Sequence, residues 1–217
     1  MFASVVCDAD STLAGVEGID WLAGRRGAAV AAAVAELTDD AMAGRVALDA
    51  VYGERLARIR PTRADIAALG DAYVAALAPG AIATVHALSA AGVRVVIVSG
   101  GLRPALLPMT RALGIAERDL HAVDLVLDAH GAYEDFDRAS PLATQGGKPR
   151  VLAALSLPAP VLAVGDGSTD VAMREAGATF AAFTGFVHRA SVVAQAAVVL
   201  QDFDALRALV LPSLRTP

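Results

Sequence analysis

Residues 2–12, which read FASVVCDADST, decide the fold of this chain. The apolar run Phe2–Cys7 predicts a buried β-strand, and Asp8 and Asp10 follow at its carboxyl end. Ligands of open α/β sheets bind at the carboxyl ends of the strands. Two carboxylates this close repel each other, so they need either a cation or a shared proton. Because oxygen-rich sites suit Mg²⁺, the pair predicts a divalent-metal site at the mouth of the sheet.

Further apolar runs of strand length follow along the chain. They are Val93–Val98, Leu120–Leu127, Val161–Val164, Thr179–Phe183 and Ala197–Leu200. Helical patterns separate most of them, and strands that alternate with helices predict a mostly parallel sheet covered on both faces. We therefore predict an α/β, Rossmann-like core, in which the turn-like residues 128–131 close a small hairpin.

The segment between the first two predicted strands has a different pattern. In residues 14–77 the apolar positions recur at helical spacing, and Thr62 and Asp65, after Pro61, form a helix start. This segment is too long for a simple crossover. We predict a small helical cap at 14–77 over the strand mouths, and an α/β core made of 1–13 and 78–217. Such a cap can exclude water and select a substrate; the alternative is a purely structural helical layer.

The composition argues against several classes of function. The chain has 217 residues, a net charge of −5 and one cysteine, Cys7. The negative charge argues against general binding to nucleic acids or anionic membranes. A lone cysteine, expected to be buried and inert, allows no intramolecular disulfide. No apolar run of about 20 residues predicts a transmembrane helix, and no signal peptide is apparent. We expect a cytoplasmic enzyme, monomeric or homodimeric, that binds neither nucleic acid nor membrane.

The basic residues are 17 arginines and one lysine, Lys148. An ammonium is a compact point charge, whereas a guanidinium is a broad planar fork. A site that needs one small cation against a phosphoryl oxygen tolerates only the ammonium. Lys148 is therefore a candidate for such a site, and the alternative is the chance retention of one surface lysine.

Three later elements are predicted to meet Asp8 at the same edge of the sheet. Ser99-Gly100-Gly101 follows the second strand and offers a hydroxyl and backbone N–H groups to an anion. Gly146-Gly147-Lys148 opens a helix that could hold the lysine nearby. Gly165–Asp170, which reads GDGSTD, follows a later strand and supplies Asp166 as a second carboxylate for a metal. Each element alone is weak, but chance does not readily place all of them in this order.

Together the motifs resemble those of the haloacid dehalogenase superfamily of phosphohydrolases. The matching residues are Asp8-x-Asp10-Ser11-Thr12, Ser99, Lys148 and Gly165-Asp166-Gly167-x-x-Asp170. Within that superfamily the chain is most similar to the phosphoserine phosphatases. The further similarity lies in Glu17-Gly18-Ile19-Asp20, Ala41-Met42 and the stretch 54–61, and it covers most of the chain.

The resemblance implies a two-step mechanism. Asp8 is implied to be the nucleophile that forms an aspartyl-phosphate, and Asp10 the general acid and then the general base. Mg²⁺ is implied to be bound by the Asp8 side chain, the Asp10 carbonyl and the Asp166 side chain. Asp170 would orient this shell from outside, and Thr12 would fix the rotamer of Asp10.

The resemblance also implies which residues bind the substrate. They are Glu17, Met42, Arg55, Ser99, Gly100, Lys148 and Thr169. Ser99, the Gly100 amide and Lys148 would stabilise charge on the transferring phosphoryl group.

The cap residues would recognise the rest of a phosphorylated amino acid. Glu17 is implied to face its ammonium, and Arg55 to bind its carboxylate bidentately. Met42 would contact the substrate. The alternatives are that Glu17 caps a helix, that Arg55 is a solvated surface residue and that Met42 packs in the core.

The predicted function is Mg²⁺-dependent hydrolysis of O-phosphoserine, a small phosphorylated amino acid, to serine and phosphate. Asp10 favours this over carbon–halogen cleavage, because a dehalogenase needs no proton donor at that position. Two alternatives stay open. One is a related phosphatase or phosphotransferase acting on another small phosphomonoester, and the other is a catalytically silent protein that binds a phosphate or a partner.

Overall fold

The computed structural model describes residues 1–42 and 48–211, without the side chains of residues 39–42 and 48. Its strands are β1 (Ser4–Cys7), β2 (Arg94–Leu102), β3 (Leu120–Val123), β4 (Leu125–Leu127), β5 (Tyr133–Phe136), β6 (Val161–Gly165), β7 (Thr179–Phe183) and β8 (Val198–Leu200). Its α-helices are α1 (Gly18–Arg25), α2 (Ala28–Met42), α3 (Leu48–Ile59), α4 (Arg63–Ala75), α5 (Ala81–Ala90), α6 (Arg103–Ala112), α7 (Gly147–Leu155), α8 (Ser168–Val171), α9 (Ala190–Val193) and α10 (Phe203–Val210).

Six strands form one parallel sheet in the order β3-β2-β1-β6-β7-β8. Strand β1 lies in its interior, because it pairs in parallel with β2 on one side and with β6 on the other. The direction of the strand order reverses between β1 and β6, which is where doubly wound sheets bind their ligands. The prediction of a mostly parallel, Rossmann-like α/β fold is confirmed.

Strand β1 is buried along its whole length. Val5, Val6 and Cys7 are fully buried, as expected for a parallel strand covered by helices on both faces. Burial raises the pKa of the Cys7 thiol to about 12, and the neighbouring charges of Asp8 and Asp170 add to that rise. The thiol therefore stays protonated at neutral pH, which agrees with the prediction of a buried, inert cysteine.

The apolar run 120–127 is not the single strand that the sequence predicts. It divides at Asp124 into β3, which pairs with β2 in the main sheet, and β4, which pairs with β5 in an antiparallel hairpin. The Asp124 carbonyl accepts a hydrogen bond from the N–H of Asp137 at 2.9 Å, just beyond the hairpin. The predicted turn of this hairpin is present, with Gly131 at a φ of 82°.

The segment 14–77 contributes the helices α1–α4, and its described residues form no strand of either sheet. The two ends of this segment lie side by side. The N–H of Gly15 donates to the Ala76 carbonyl, and the N–H of Ala78 donates to the Leu13 carbonyl, both at 2.9 Å. The division into a cap and a core stays a prediction. Among the described residues, no helix has the length and apolar character that crossing a membrane requires.

Helix α4 begins where the sequence predicts. Thr62 accepts a hydrogen bond from the N–H of Asp65, and the Asp65 carboxylate accepts one from the N–H of Thr62, which together form a capping box. The helix then packs against α6 of the core at Gly70. A Cβ atom added there would lie 2.9 Å from Cγ of Pro108, so only glycine allows this close contact.

Candidate active site

Most of the predicted site residues line one cavity of about 500 Å³ at the carboxyl ends of β1 and β6, while Thr12, Ser99 and Asp170 do not line it. Of those residues, Asp8, Asp10, Glu17, Arg55, Gly100, Lys148, Asp166 and Thr169 line it. Asp8 follows β1, and its N–H donates to Val164 of β6 at 2.9 Å, which holds the two strand ends together. Residues far apart in the sequence therefore share one enclosed volume.

Three buried carboxylates meet beside this cavity, and two of them, Asp8 and Asp166, line it. Asp8, Asp166 and Asp170 each offer a carboxylate oxygen, and these oxygens lie within 4.8 Å of one another. Asp8 and Asp166 follow neighbouring parallel strands, and Asp170 lies in α8 directly after the second of them. So many carboxylates in one buried place repel each other unless cations offset them.

Lys148 supplies one of those cations. Its Nζ atom lies 2.8 Å from Oδ2 of Asp8 and 2.7 Å from Oδ1 of Asp170. Burial alone would lower the pKa of Lys148, but the charges and hydrogen bonds of Asp170 and Asp8 outweigh it and raise that pKa. The ammonium therefore stays charged. Gly147 allows helix α7 to begin here, because a Cβ atom on it would lie 1.8 Å from the Pro141 carbonyl oxygen.

Arg189 supplies a second cation, although the sequence favours an exposed position for it over the alternative of lining the entrance. Its guanidinium forms an ion pair with the Asp166 carboxylate and donates to the Asp166 carbonyl at 3.2 Å. Its Nη2 atom also lies 3.7 Å from Oε1 of Glu17. Arg189 follows the loop after β7, and no sequence motif signals that this loop folds back over the cavity.

Asp10 is held differently from Asp8. Its Oδ1 atom accepts hydrogen bonds from the Tyr73 hydroxyl and, at 3.3 Å, from the N–H of Gly18. Burial raises the pKa of Asp10 to about 8, and the charges of Glu17 and Asp8 add to that rise, while both hydrogen bonds oppose it. A carboxyl that keeps its proton near neutral pH is suited to donate that proton to a leaving group.

Thr12 does not act on Asp10 as the sequence analysis expects. Its buried hydroxyl donates to Oδ1 of Asp166 at 3.3 Å, whereas Tyr73 and Gly18 hold Asp10. The reason is geometric, because the chain turns sharply after Asp10 and Ser11 adopts a φ of 48°. Thr12 therefore orients a carboxylate from the neighbouring strand.

The Ser99-Gly100-Gly101 motif lies within β2, although the sequence analysis expects it after the strand. The pairing with β3 shifts register between Val98 and Leu102, so the motif lies in the irregular part of the strand. Ser99 is buried, and its hydroxyl accepts from the N–H of Gly101 at 3.0 Å. The Gly100 carbonyl accepts from the Tyr52 hydroxyl of helix α3 at 2.9 Å.

Glu17 faces the cavity from the start of helix α1. It occupies the N-cap position, but its side chain makes no capping hydrogen bond, so the capping alternative is not supported. Instead, its carboxylate accepts from the Ser11 hydroxyl at 2.6 Å. Burial raises the pKa of Glu17, while the hydrogen bond from Ser11 opposes that rise. The carboxylate is thus fixed beside the loop that follows Asp8.

Arg55 lies on helix α3 and is not a solvated surface residue. Its guanidinium carbon is 5.9 Å from the centre of the Tyr52 ring, and its Nη1 atom donates to the Thr38 hydroxyl at 3.4 Å. Its Nε atom is enclosed and has no hydrogen-bond partner among the described residues. Because Arg55 also lines the cavity, its guanidinium brings a positive charge to the cavity wall.

Thr169 and Met42 are the two remaining residues predicted to bind substrate. Thr169 lines the cavity from the first turn of α8. Met42 is the last residue of α2, and its side chain lies outside what the structure describes. Asp170 accepts from Lys148 and, at 3.0 Å, from the N–H of Gly167, so its two oxygens are both engaged.

The residues present fit a divalent metal. Asp8, Asp166 and Asp170 bring three carboxylates together, and Lys148 and Arg189 bring two cations, which leaves one negative charge in the cluster. Carboxylate oxygens are the ligands that Mg²⁺ prefers. Side chains from Asp8 and Asp166 agree with the expected ligand set, and the third carboxylate close by belongs to Asp170. The expected contribution of Asp10 is through its carbonyl and stays a prediction.

Comparisons with known proteins agree with this geometry. Residues 5–175 match the family model of the haloacid dehalogenase-like hydrolases. The chain is 35% identical to human phosphoserine phosphatase over 205 residues, which cover 93% of this chain and 90% of the human protein. It is 32% identical to the chloroplastic phosphoserine phosphatase of Arabidopsis thaliana, covering 94% of this chain and 70% of that protein.

A solved structure shows the same fold. The structure of a phosphoserine phosphohydrolase-like protein from Francisella tularensis superposes with a TM-score of 0.84 at 24% identity, covering 95% of this chain and 99% of that chain.

Proposed function

This chain belongs to the haloacid dehalogenase-like hydrolase family and is a phosphoric monoester hydrolase. We propose that its substrate is O-phosphoserine, which it hydrolyses to serine and phosphate with Mg²⁺. The proposal rests on one observation above all. The cavity that holds the buried carboxylates is also lined by Glu17 and Arg55, which offer one negative and one positive charge. Those charges complement the ammonium and the carboxylate that distinguish phosphoserine from other phosphomonoesters.

In the first step Asp8 attacks phosphorus. A bond forms between its carboxylate oxygen and phosphorus, and the bond from phosphorus to the serine oxygen breaks. Asp10 gives its proton to the departing serine oxygen. Lys148, the Gly100 amide and the Ser99 hydroxyl offset the negative charge on the transferring group.

In the second step water releases the phosphate. Asp10, now ionised, takes a proton from a water molecule, whose oxygen forms a bond to phosphorus while the bond to Asp8 breaks. Asp10 thereby regains the proton that it donated, and the site returns to its starting state.

Mg²⁺ bound by Asp8, Asp166 and the Asp10 carbonyl would draw charge from the phosphoryl oxygens. The Thr12 hydroxyl donates a hydrogen bond to the Asp166 carboxylate, and the Lys148 ammonium donates one to Asp170. We expect that a chelator abolishes turnover and that added Mg²⁺ restores it.

The inserted helices would form a cap that recognises the amino acid part of the substrate. Glu17 and Arg55 both belong to the segment 14–77, whereas the residues assigned to the phosphoryl chemistry lie after β1 and β6, within β2 and at the start of α7. This separation supports a division of labour between specificity and catalysis. The reaction would supply serine in the cytoplasm, and the protein could act as a monomer or a homodimer.

A steady-state comparison of phosphoserine with about 20 other phosphomonoesters in Mg²⁺ tests the substrate. We expect kcat/KM for phosphoserine to exceed the others at least about tenfold, or about 1.4 kcal/mol in transition-state binding. A preference for a sugar phosphate would contradict the roles of Glu17 and Arg55. Measuring serine and free phosphate together, with an alcohol present, distinguishes hydrolysis, where the two are equal, from phosphoryl transfer, where phosphate falls short.

A further inference from the structure

Tyr73 reaches the proposed general acid from the far end of helix α4. Its side chain is fully buried, and its hydroxyl donates to Oδ1 of Asp10. The two residues are 63 positions apart, and the mechanism above gives Tyr73 no role. A buried hydroxyl needs a partner, and here that partner is a carboxyl at the centre of the chemistry.

The backbone is shaped to admit this contact. A Cβ atom added at Gly18 would lie 2.2 Å from the Tyr73 hydroxyl oxygen, so only glycine leaves room for the phenol. The N–H of Gly18 donates to the same Oδ1 atom at 3.3 Å. Oδ1 therefore accepts from two donors that arrive from different elements.

The side chains and N–H groups that the structure describes donate to Oδ1 of Asp10 and not to its other oxygen. Oδ2 lies toward Gly101, where an added Cβ atom would be 3.6 Å from it. When Asp10 is protonated, an oxygen that already accepts two hydrogen bonds is a poor place for the proton. The proton is therefore carried on Oδ2.

The phenol is also fixed relative to the sheet. Helix α4 packs on core helix α6 through the close contact of Gly70 with Pro108. The two backbone hydrogen bonds that join Leu13 and Gly15 to Ala78 and Ala76 lie just beyond Tyr73. Tyr73 thus holds Asp10 from an element anchored to the core.

We propose that Tyr73 is a positioning residue for proton transfer to the leaving group, holding Asp10 so that the proton on Oδ2 faces the departing oxygen. This rests on the proposed function, in which Asp10 gives that proton to the serine oxygen as the bond to phosphorus breaks. The role is specific to esters whose leaving group needs a proton. A serine alkoxide would be strongly basic, so serine leaves as the alcohol after receiving the proton of Asp10, whereas p-nitrophenolate is a weak base and leaves without protonation.

The test compares two esters in the variant Tyr73→Phe, which keeps the ring and removes the hydroxyl. We expect kcat/KM for phosphoserine to fall about 10- to 100-fold, since general acid catalysis contributes a factor of this order or larger. For p-nitrophenyl phosphate kcat/KM should stay within about twofold. The kcat/KM ratio is the right quantity, because it reports phosphoryl transfer to Asp8 and not the later hydrolysis.

Tyr133→Phe is the matched control, because it removes a phenol hydroxyl from another buried tyrosine that does not line the cavity. This variant should leave kcat/KM unchanged for both esters. Gly18→Ala is a second variant that displaces the hydroxyl without removing it, and it should lower phosphoserine turnover relative to p-nitrophenyl phosphate in the same direction. Circular dichroism establishes that each variant is folded.

An equal loss on both esters in Tyr73→Phe, or no loss on phosphoserine, overturns the proposal. Failure of the proposed substrate is distinguishable from this. If the wild-type protein prefers another alkyl phosphate, that ester replaces phosphoserine in the same comparison, and selective loss on it still supports the role of Tyr73.

Discussion

The Nζ atom of Lys148 lies 2.8 Å from Oδ2 of Asp8, and both side chains are buried. The same ammonium contacts Asp170 at 2.7 Å, so one cation holds two carboxylates that would otherwise repel each other. Both oxygens of Asp8 are thereby held, because Oδ2 contacts the ammonium and Oδ1 accepts from the N–H of Ala9 at 2.8 Å. The only lysine in the sequence thus offsets the charge of two buried carboxylates.

Removing this cation should destabilise the whole protein. In Lys148→Met, Asp8 and Asp170 are left buried without their counter-charge, which costs about 3–5 kcal/mol of unfolding free energy. Urea unfolding followed by circular dichroism measures the loss, and phosphatase activity should fall with it. Arg150→Met on the same helix is the control, because Arg150 is exposed and its loss should cost no more than about 0.5 kcal/mol. Equal stability of the two variants would refute the structural role of Lys148.

Arg55→Met should weaken the recognition of a substrate carboxylate. We expect kcat/KM for phosphoserine to fall about 10- to 100-fold, because a charge-assisted hydrogen bond is lost. Phosphoethanolamine lacks the carboxylate, so its turnover should change little. Arg58→Met is the control on the same helix, since Arg58 pairs with Glu54 at the surface. Equal losses on both substrates would show that Arg55 does not read the carboxylate.

Glu17→Gln should weaken the recognition of the ammonium. Because phosphoethanolamine keeps that ammonium, kcat/KM should fall about tenfold for it as well as for phosphoserine. The analogue of phosphoserine without its amino group should be unaffected. Glu54→Gln, which changes an exposed carboxylate, serves as the control. If kcat/KM for the amino-free analogue fell as much as kcat/KM for phosphoserine, the charge of Glu17 would have another role.

Asp65 should make stability depend on pH. Hydrogen bonds from Arg26 and Thr62 outweigh the effect of burial and hold the pKa of Asp65 well below its usual range. Its contribution is therefore complete above pH about 4, the value in an unfolded chain, and is lost as the pH falls toward the folded-state pKa.

Asp65→Asn tests this by urea unfolding at several pH values. At pH 7 the variant should be less stable by about 2 kcal/mol, because the capping box and the ion pair are broken. The difference from the wild-type protein should shrink below pH about 4. Asp71→Asn, an exposed change on the same helix, should leave the pH dependence unaltered. A constant difference at every pH would contradict the linkage.

The sheet was predictable because a parallel sheet buried on both faces needs continuous apolar strands. Phe2–Cys7 and Val161–Val164 satisfy this need; Asp8 follows the first directly, and Asp166 follows the second after one glycine. Parallel strands end at the same edge, so those carboxylates had to lie close together. The break at Asp124 was not predictable, because the residues on both sides of it remain apolar and strand-like.

The contacts of Tyr73, Arg189 and Thr12 depend on packing that no local pattern encodes. Helical spacing predicts that Tyr73 is buried but not that its hydroxyl meets Asp10, since that requires α4 to pack on the core. Arg189 reaches Asp166 because of the path of a loop. Thr12 turns away from Asp10 because of the backbone conformation at Ser11.

Trapping the phosphoryl group during turnover of phosphoserine tests the central claim most directly. Borohydride reduces an aspartyl-phosphate to homoserine, which peptide mass spectrometry locates in the chain. We predict homoserine in place of Asp8 in the wild-type protein, and in Asp8→Asn a folded protein with neither turnover nor trapped product. Reduction at another carboxylate, or substantial turnover by Asp8→Asn, would contradict the account.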